Sequence, residues 1–268
     1  MSAPRLISSR DNPLLKRLRL LARGPERTAA GDLHVLVDGI HLAQVVLRHD
    51  RDSLRHAVFE SERLARLDEL QALLRSLPID VPCSRVPAAL MASLYGSETG
   101  QGVILLIERS AKPVPAGSRQ GIEVWLDRVQ DPGNLGTLLR TAAAAGVSRV
   151  LLSPGCASAW SPKSLRAGQG AQWLLPVHEQ VDLEAQAVQA GLPLLVTALE
   201  DAQSLWDTAL PAQCAWVFGH EGQGVSAGLQ ERASQRLRIP MQAGSESLNV
   251  GVAAGICLFE HCRQLSLS

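Results

Sequence analysis

An arginine, a glutamate and two asparagines in the C-terminal half of the chain lie close to turn-forming residues, a set able to grip and orient an anion. The stretch Leu126 to Ala142 carries Asp131-Pro132-Gly133-Asn134-Leu135-Gly136 and then Arg140. Pro132-Gly133 sets a turn and Asn134 is expected to cap the following helix. Arg140 falls about six residues further on, so Asn134 and Arg140 can face one site. A second stretch reads Phe218-Gly219-His220-Glu221-Gly222-Gln223-Gly224-Val225-Ser226. Its glycines let the backbone fold tightly and approach a ligand, Ser226 can cap the next helix, and Glu221 is either a solvated acid or an orienting partner for Arg140. The glycine spacing fits neither G-x-G-x-x-G nor a P-loop. His220-Glu221-Gly222-Gln223-Gly224 ends in glycine where H-E-x-x-H requires histidine, so no metal is expected. A third stretch runs Ile239-Pro240-Met241 through a Gly-Ser loop to Ser247-Leu248-Asn249, where a helix rich in small residues begins: Gly251, Ala253, Ala254 and Gly255. Such residues permit close approach of another helix or a second subunit. Taken singly, each stretch is also satisfied by an ordinary capped helix or tight turn.

Strand ends are what must position these loops. In the C-terminal half, strands are expected at Ile122 to Leu126, Arg149 to Leu152, Gln172 to Leu175, Pro193 to Thr197, Cys214 to Phe218 and Arg238 to Ile239. Helices are expected at Leu135 to Ala145, Lys163 to Ala167, Leu183 to Ala190, from Ala227, and from Leu248 to about Gln264. That alternation predicts a mostly parallel sheet, with ligands beyond the carboxyl ends of its strands. Upstream, strands at His34 to Val37, Ala57 to Phe59 and Val103 to Ile107 alternate with helices at Ile40 to Arg48, Glu62 to Leu77 and Ala88 to Tyr95. This predicts a smaller α/β layer structure. The Pro- and Gly-containing stretch between the halves reads as a linker, giving domains at 1–110 and 122–268 joined by 111–121.

With 268 residues, 46% apolar and 19% charged, the composition is that of a soluble protein; apolar runs are too short to span a membrane and a cytoplasmic location is expected. Five scattered cysteines read as reduced thiols. The net charge is zero, but seven basic residues against two acidic ones between Arg5 and Arg27 form a local basic face, either a solvated helix or a phosphate-binding surface.

The ordered set D-x-x-x-D-P-G-N-L-G-x-x-x-R-T-A, F-G-x-E-G-x-G and I-P-M-x-x-x-x-E-S-L-N-V resembles the three signature motifs of the SpoU/TrmH methyltransferases of the SPOUT superfamily. Ser161 to Ala171 is similar to the family's lysine and arginine segment, departing at Ala167-Gly168; Gly251 stands where serine is common. More loosely, Ile7 to Lys16 and Leu36 to Ile40 are similar to its N-terminal RNA substrate-binding domain, with Asp38 where glutamate is usual. The resemblance implies a SPOUT domain with a parallel sheet and deep trefoil knot, and a homodimer with the last helix in the interface. It implies S-adenosylmethionine held by main-chain groups at Gly219, Ile239, Met241 and Leu248. Methyl transfer to a ribose 2′-hydroxyl would use Arg140 to bind phosphate and activate the hydroxyl, Glu221 to fix that arginine, Asn134 to orient it, and Ser247 with Asn249 to complete the pocket. Arg10, Lys16, Arg17, Lys163 and Arg166 would contact RNA. Ribosomal RNA, 23S in particular, is preferred over transfer RNA. A non-catalytic ribosome-assembly factor is the alternative from another class, and the intact polar set speaks against it.

Overall fold

The computed structural model describes residues 4–95, 100–110, 120–199, 201–242 and 247–267. Most of the expected linker, 111–119, lies outside these, as do the loop residues Ala243-Gly244-Ser245-Glu246. The chain forms two compact units, Met1–Ala111 with Trp160–Trp173, and Lys112–Ala159 with Leu174–Ser268. Among the described residues no helix is long and apolar enough to cross a membrane. All five cysteines are free.

In the first unit, strands β1 (Arg5–Leu6), β2 (Glu26–Arg27), β3 (Leu33–Asp38), β4 (Leu54–Glu60), β5 (Cys83–Val86) and β6 (Val103–Arg109) form a mixed sheet in the order β1-β5-β4-β6-β3-β2. Helices α1 (Pro13–Leu21), α2 (Ile40–His49), α3 (Ser61–Arg66), α4 (Asp68–Ser76) and α5 (Ala88–Ala92) cover it. Asn12 caps α1 by accepting from the Leu14 N–H, and Pro13 begins the helix where no donor is required. Leu15, Leu18 and Leu21 then repeat at helical spacing and bury against Leu36, Val58 and Leu106 of the sheet. The single helix expected over Glu62 to Leu77 is broken at Leu67, which adopts φ −103°, ψ 112°; its N–H closes the first helix on Arg63, and Asp68 and Glu69 favour a new N-terminus. The last expected helix of this half stops at Ala92 rather than Tyr95, whose hydroxyl instead accepts the Gly102 N–H.

The segment Trp160–Trp173 packs with this unit, although its sequence position falls inside the expected C-terminal domain. Arg109 lies 3.9 Å over the Trp160 ring, Trp160 and Trp173 meet edge to face at 5.3 Å, and the Trp173 indole donates to Asp50. These contacts account for one correction. Gln172 to Leu175 is not a strand; Ala171–Trp173 is a 3-10 turn, turned so that both Gln172 and Trp173 reach inward partners.

The second unit comprises β7 (Ile122–Asp127), α6 (Pro132–Ala144), β8 (Arg149–Leu152), then, beyond α7 (Pro162–Gly168) of the segment just described, β9 (Val177–His178), α8 (Leu183–Ala190), β10 (Leu194–Thr197), β11 (Gln203–Ser204), β12 (Cys214–Gly219), α9 (Ala227–Glu231), β13 (Gln235–Arg238) and α10 (Val250–Leu267). Its sheet is parallel throughout in the order β11-β13-β10-β12-β7-β8-β9. Every residue of β7 and β12 is buried, as expected of central parallel strands covered on both faces. The strand expected at Arg238 to Ile239 occupies Gln235–Arg238, so Ile239 is the first residue past its end. Helix α10 starts at Val250 rather than Leu248 because Asn249 caps it. It docks on the sheet through buried His261, whose Nδ1 accepts from Trp216 at 2.9 Å and whose Nε2 donates to the Pro211 carbonyl at 3.1 Å.

Candidate active site

Because the sheet is parallel, β7, β8, β10, β12 and β13 all end on one edge, and the loops leaving that edge can share a ligand. Asp127, the last residue of β7, is buried there beside Gly219 of β12. Its Oδ2 accepts the Ser226 N–H at 2.7 Å, and its Oδ1 accepts the Ser153 hydroxyl and Arg128 Nε, each at 3.3 Å. One carboxylate thus ties together the loops that follow three adjacent strands. Arg128 turns the chain with φ 58°, a left-handed conformation that costs a non-glycine residue about 1 kcal/mol, and its guanidinium reaches Gln223 in the glycine-rich loop at 3.2 Å. The sequence reading assigned no role to Asp127. Its signal was an acid as the last residue of a largely apolar strand.

The glycine-rich loop folds back on itself: His220 and Gly224 exchange backbone hydrogen bonds at 3.0 and 2.8 Å. A Cβ on Gly219 would collide with the Gly224 carbonyl group and the Val225 nitrogen, so only glycine lets this turn close. Gly224 has φ 69°, again a glycine conformation.

The polar set of the three motifs meets as a relay. Glu221 Oε1 accepts Asn134 Nδ2 at 3.0 Å, Asn134 Oδ1 accepts Asn249 Nδ2 at 2.9 Å, and Asn249 Oδ1 accepts the Gly251 N–H at 2.9 Å. A carboxylate that only accepts at one end and a backbone N–H that only donates at the other leave each amide one orientation. Gly251 permits the approach, since a Cβ there would press on Thr137 of α6 at 3.1 Å. Two expectations are corrected. Asn134 is not the cap of α6; Asp131 is, accepting the Asn134 N–H at 2.8 Å, which frees the Asn134 amide to face Glu221 and Asn249. Glu221 makes no hydrogen bond or ion pair with Arg140 among the described residues; it accepts instead from Asn134 at 3.0 Å and from the N–H groups of Gln130 and Asp131 at 3.3 Å.

Partial burial would raise the Glu221 pKa, but the bonds from Asn134 and the backbone outweigh it and hold the carboxyl below its usual range. A depressed carboxylate stabilises the fold above the unfolded value and loses that contribution as pH falls through the folded one. The relay is therefore expected to hold through the ordinary carboxylate range and to loosen only at more acid pH. Asn134 and Asn249 amide resonances followed by NMR should shift in that acid range in the wild type and stay flat in Glu221→Gln; identical titrations would contradict it.

Arg140 stands on the exposed side of α6 and has no hydrogen-bond or ion-pair partner among the described residues. Ser247 and Leu248 are exposed just before the α10 cap, while Ile239 and Met241 follow β13 at the same edge as Gly219. Strands β12 and β13 flank β10, which separates their ends by about 10 Å. In the first unit, Arg10 and Lys16 are exposed, Lys16 pairing with Asp11 at 3.0 Å. Arg17 is turned inward to His34, which pairs with Glu108. Lys163 is exposed on α7, and Arg166 of that helix lies 3.5 Å from buried Asp38.

Comparison with known proteins matches residues 121–259 to the SpoU rRNA Methylase family. The chain is 35% identical, over 265 residues spanning 96% of it and 93% of the relative, to an uncharacterized tRNA/rRNA methyltransferase of Synechocystis sp.. It is 29% identical over 94% of its length, and 97% of the relative's, to the 23S rRNA (guanosine(2553)-2'-O)-methyltransferase RlmP of Bacillus subtilis. Among solved structures, an rRNA methyltransferase from Sinorhizobium meliloti superimposes with a TM-score of 0.80 at 25% identity, covering 98% of this chain and 99% of the other. A second structure of an rRNA methyltransferase from that organism, bound to AdoMet, shares the fold at a TM-score of 0.78 and 24% identity, covering 97% and 98%. A parallel-sheet unit with all three motifs at one edge, and full-length likeness to these proteins, place the chain in the SpoU rRNA methylase family.

Proposed function

We propose that the protein methylates a ribose 2′-hydroxyl of RNA, with 23S ribosomal RNA as the substrate and S-adenosylmethionine as the methyl donor. The observation that carries this reading is the Glu221–Asn134–Asn249 relay at the strand edge, with the unpaired Arg140 on the same helix as Asn134. Backbone groups at Gly219, Ile239, Met241 and Leu248 would hold the donor; the close-folded glycine loop and the spacing of the two strand ends suit a nucleoside-sized group. When bound, S-adenosylmethionine supplies an electrophilic methyl group.

The residues then have mainly a positioning task. Arg140 would grip a phosphate next to the target ribose and set its positive charge against the hydroxyl oxygen, whose proton passes to solvent water as the oxygen takes the methyl group. Its guanidinium remains protonated, so the activation is electrostatic rather than general-base. Asn134, oriented by Glu221 and Asn249, would fix the floor of the site, and Ser247, exposed just before the α10 cap, would complete the pocket. A homodimer is part of this reading: α10 exposes Val252 and Phe259, each about half accessible, on a surface a second copy can cover. So is a trefoil knot, supported by β12 and β13 returning to opposite sides of β10. The first unit, with its basic α1, would bind structured RNA.

Incubation with labelled S-adenosylmethionine and protein-free 23S ribosomal RNA should label a ribose 2′-oxygen. Label appearing only on transfer RNA would redirect the substrate, and none on any RNA despite donor binding would reject the reading.

A further inference from the structure

In the first unit, α3 packs on β4 and against α4, and the two helices leave an open groove of about 280 Å³ beside Arg85 of β5. Leu64 and Leu74 form its aliphatic wall, Gln71 and Ser61 line it with polar groups, and Arg75 and Arg85 bring two guanidiniums to it. Neither arginine side chain has a hydrogen-bond or ion-pair partner among the described residues, and the Ser61 hydroxyl is buried without a hydrogen-bond partner there. Acids nearby are committed elsewhere: Glu60 pairs with Arg63 at 3.2 Å and Glu62 accepts the Ala88 N–H at 3.2 Å. Asp68 and Glu69 occupy the first turn of α4, and Arg75 its last, so about 10 Å of helix separates them.

Two unpaired guanidiniums beside an apolar wall and an unsatisfied hydroxyl match a ligand with an anionic, a flat and a hydroxyl-bearing part. A nucleotide has all three. We propose that this groove binds one unstacked nucleotide of the substrate RNA, its phosphate forked by Arg75 and Arg85 and its base laid on Leu64 and Leu74, an inference that rests on the RNA-methyltransferase reading above. The groove belongs to the first unit and the three motifs to the second, so its contribution is to hold the RNA and not to act in the chemistry.

The test uses the full-length protein and protein-free 23S ribosomal RNA in a filter-binding titration at several salt concentrations. The double variant Arg75→Gln/Arg85→Gln should raise Kd about tenfold and flatten the dependence of log Kd on log salt by about 0.7, the loss of one single-strand phosphate contact. S-adenosylmethionine binding and turnover at saturating RNA should be unchanged. Arg75→Lys/Arg85→Lys, which keeps charge without the fork, should restore the salt dependence and part of the affinity. Arg48→Gln, removing another exposed and unpaired arginine of this unit, is the comparison. The inference is overturned by unchanged affinity in the double variant, by an equal loss in Arg48→Gln, or by an acidic polyglutamate peptide competing as well as RNA. If the wild type binds S-adenosylmethionine yet methylates no RNA, the functional reading fails and this inference with it. An active wild type with an indifferent double variant overturns the groove alone.

Discussion

Arg140→Ala is expected to lower methyl transfer to RNA by about 10²–10³-fold, the scale set by removing one preorganised group from a developing charge. Its effect on stability should stay within about 0.5 kcal/mol, because the side chain is exposed and makes no hydrogen bond or ion pair among the described residues. Affinity for S-adenosylmethionine should also persist, since main-chain groups are proposed to hold it. The pattern separates a catalytic role from a structural one. Turnover assayed with labelled donor, alongside calorimetric donor binding and a thermal melt, checks all three. Undiminished turnover would remove Arg140 from the mechanism. A large drop in melting temperature would make its exposed position misleading. Arg140→Lys retains charge but not the planar fork, and should recover only part of the rate.

Arg149→Met should destabilise the second unit by about 3–5 kcal/mol, the usual consequence of removing one partner of a buried ion pair. Arg149 and Glu123 face each other in register on β8 and β7, their side chains are fully buried, and Nε to Oε1 is 2.9 Å. The Trp125 indole N–H also donates to Glu123 at 2.9 Å, which helps the carboxylate but cannot replace a cation. Replacing both, as Glu123→Leu/Arg149→Met, should restore most of the loss, because a well-packed apolar pair avoids the desolvation cost that the ions bear. Urea denaturation of the single and double variants measures this directly. A single variant within 1 kcal/mol of the wild type would show that water or a neighbouring group relieves the buried charge.

Much of the architecture was legible locally. Fully buried strands such as Ile122–Asp127 and Cys214–Gly219 announce themselves as apolar runs between turn residues, and α8 was placed at both ends, from Leu183 to Ala190. Legibility failed where a distant partner outweighed local pattern. Gln172 and Trp173 read as strand residues by their apolar neighbours, but Ser164 and Asp50 draw them into a 3-10 turn. Asn134 reads as a cap by residue type, yet Asp131 three positions earlier takes that role. Nothing in either strand alone pairs Glu123 with Arg149; only the register does.

The polar set of the three motifs shows the same division. By itself the sequence determined that an arginine, a glutamate, two asparagines and obligatory glycines follow strand ends, and the order of their motifs identified the family. Tertiary structure decided which of them touch. Asn134 and Asn249, 115 positions apart, are joined because Gly251 lets α10 press against α6, and Glu221 reaches Asn134 because β12 pairs with β7. The direction of an amide hydrogen bond depends on what stands opposite it, and that is settled by strand register and helix packing over distances that no local spacing encodes. The grouping first read as one arginine held by one glutamate is thereby resolved into a fixed relay of Glu221, Asn134 and Asn249, with Arg140 left unpaired on the same helix.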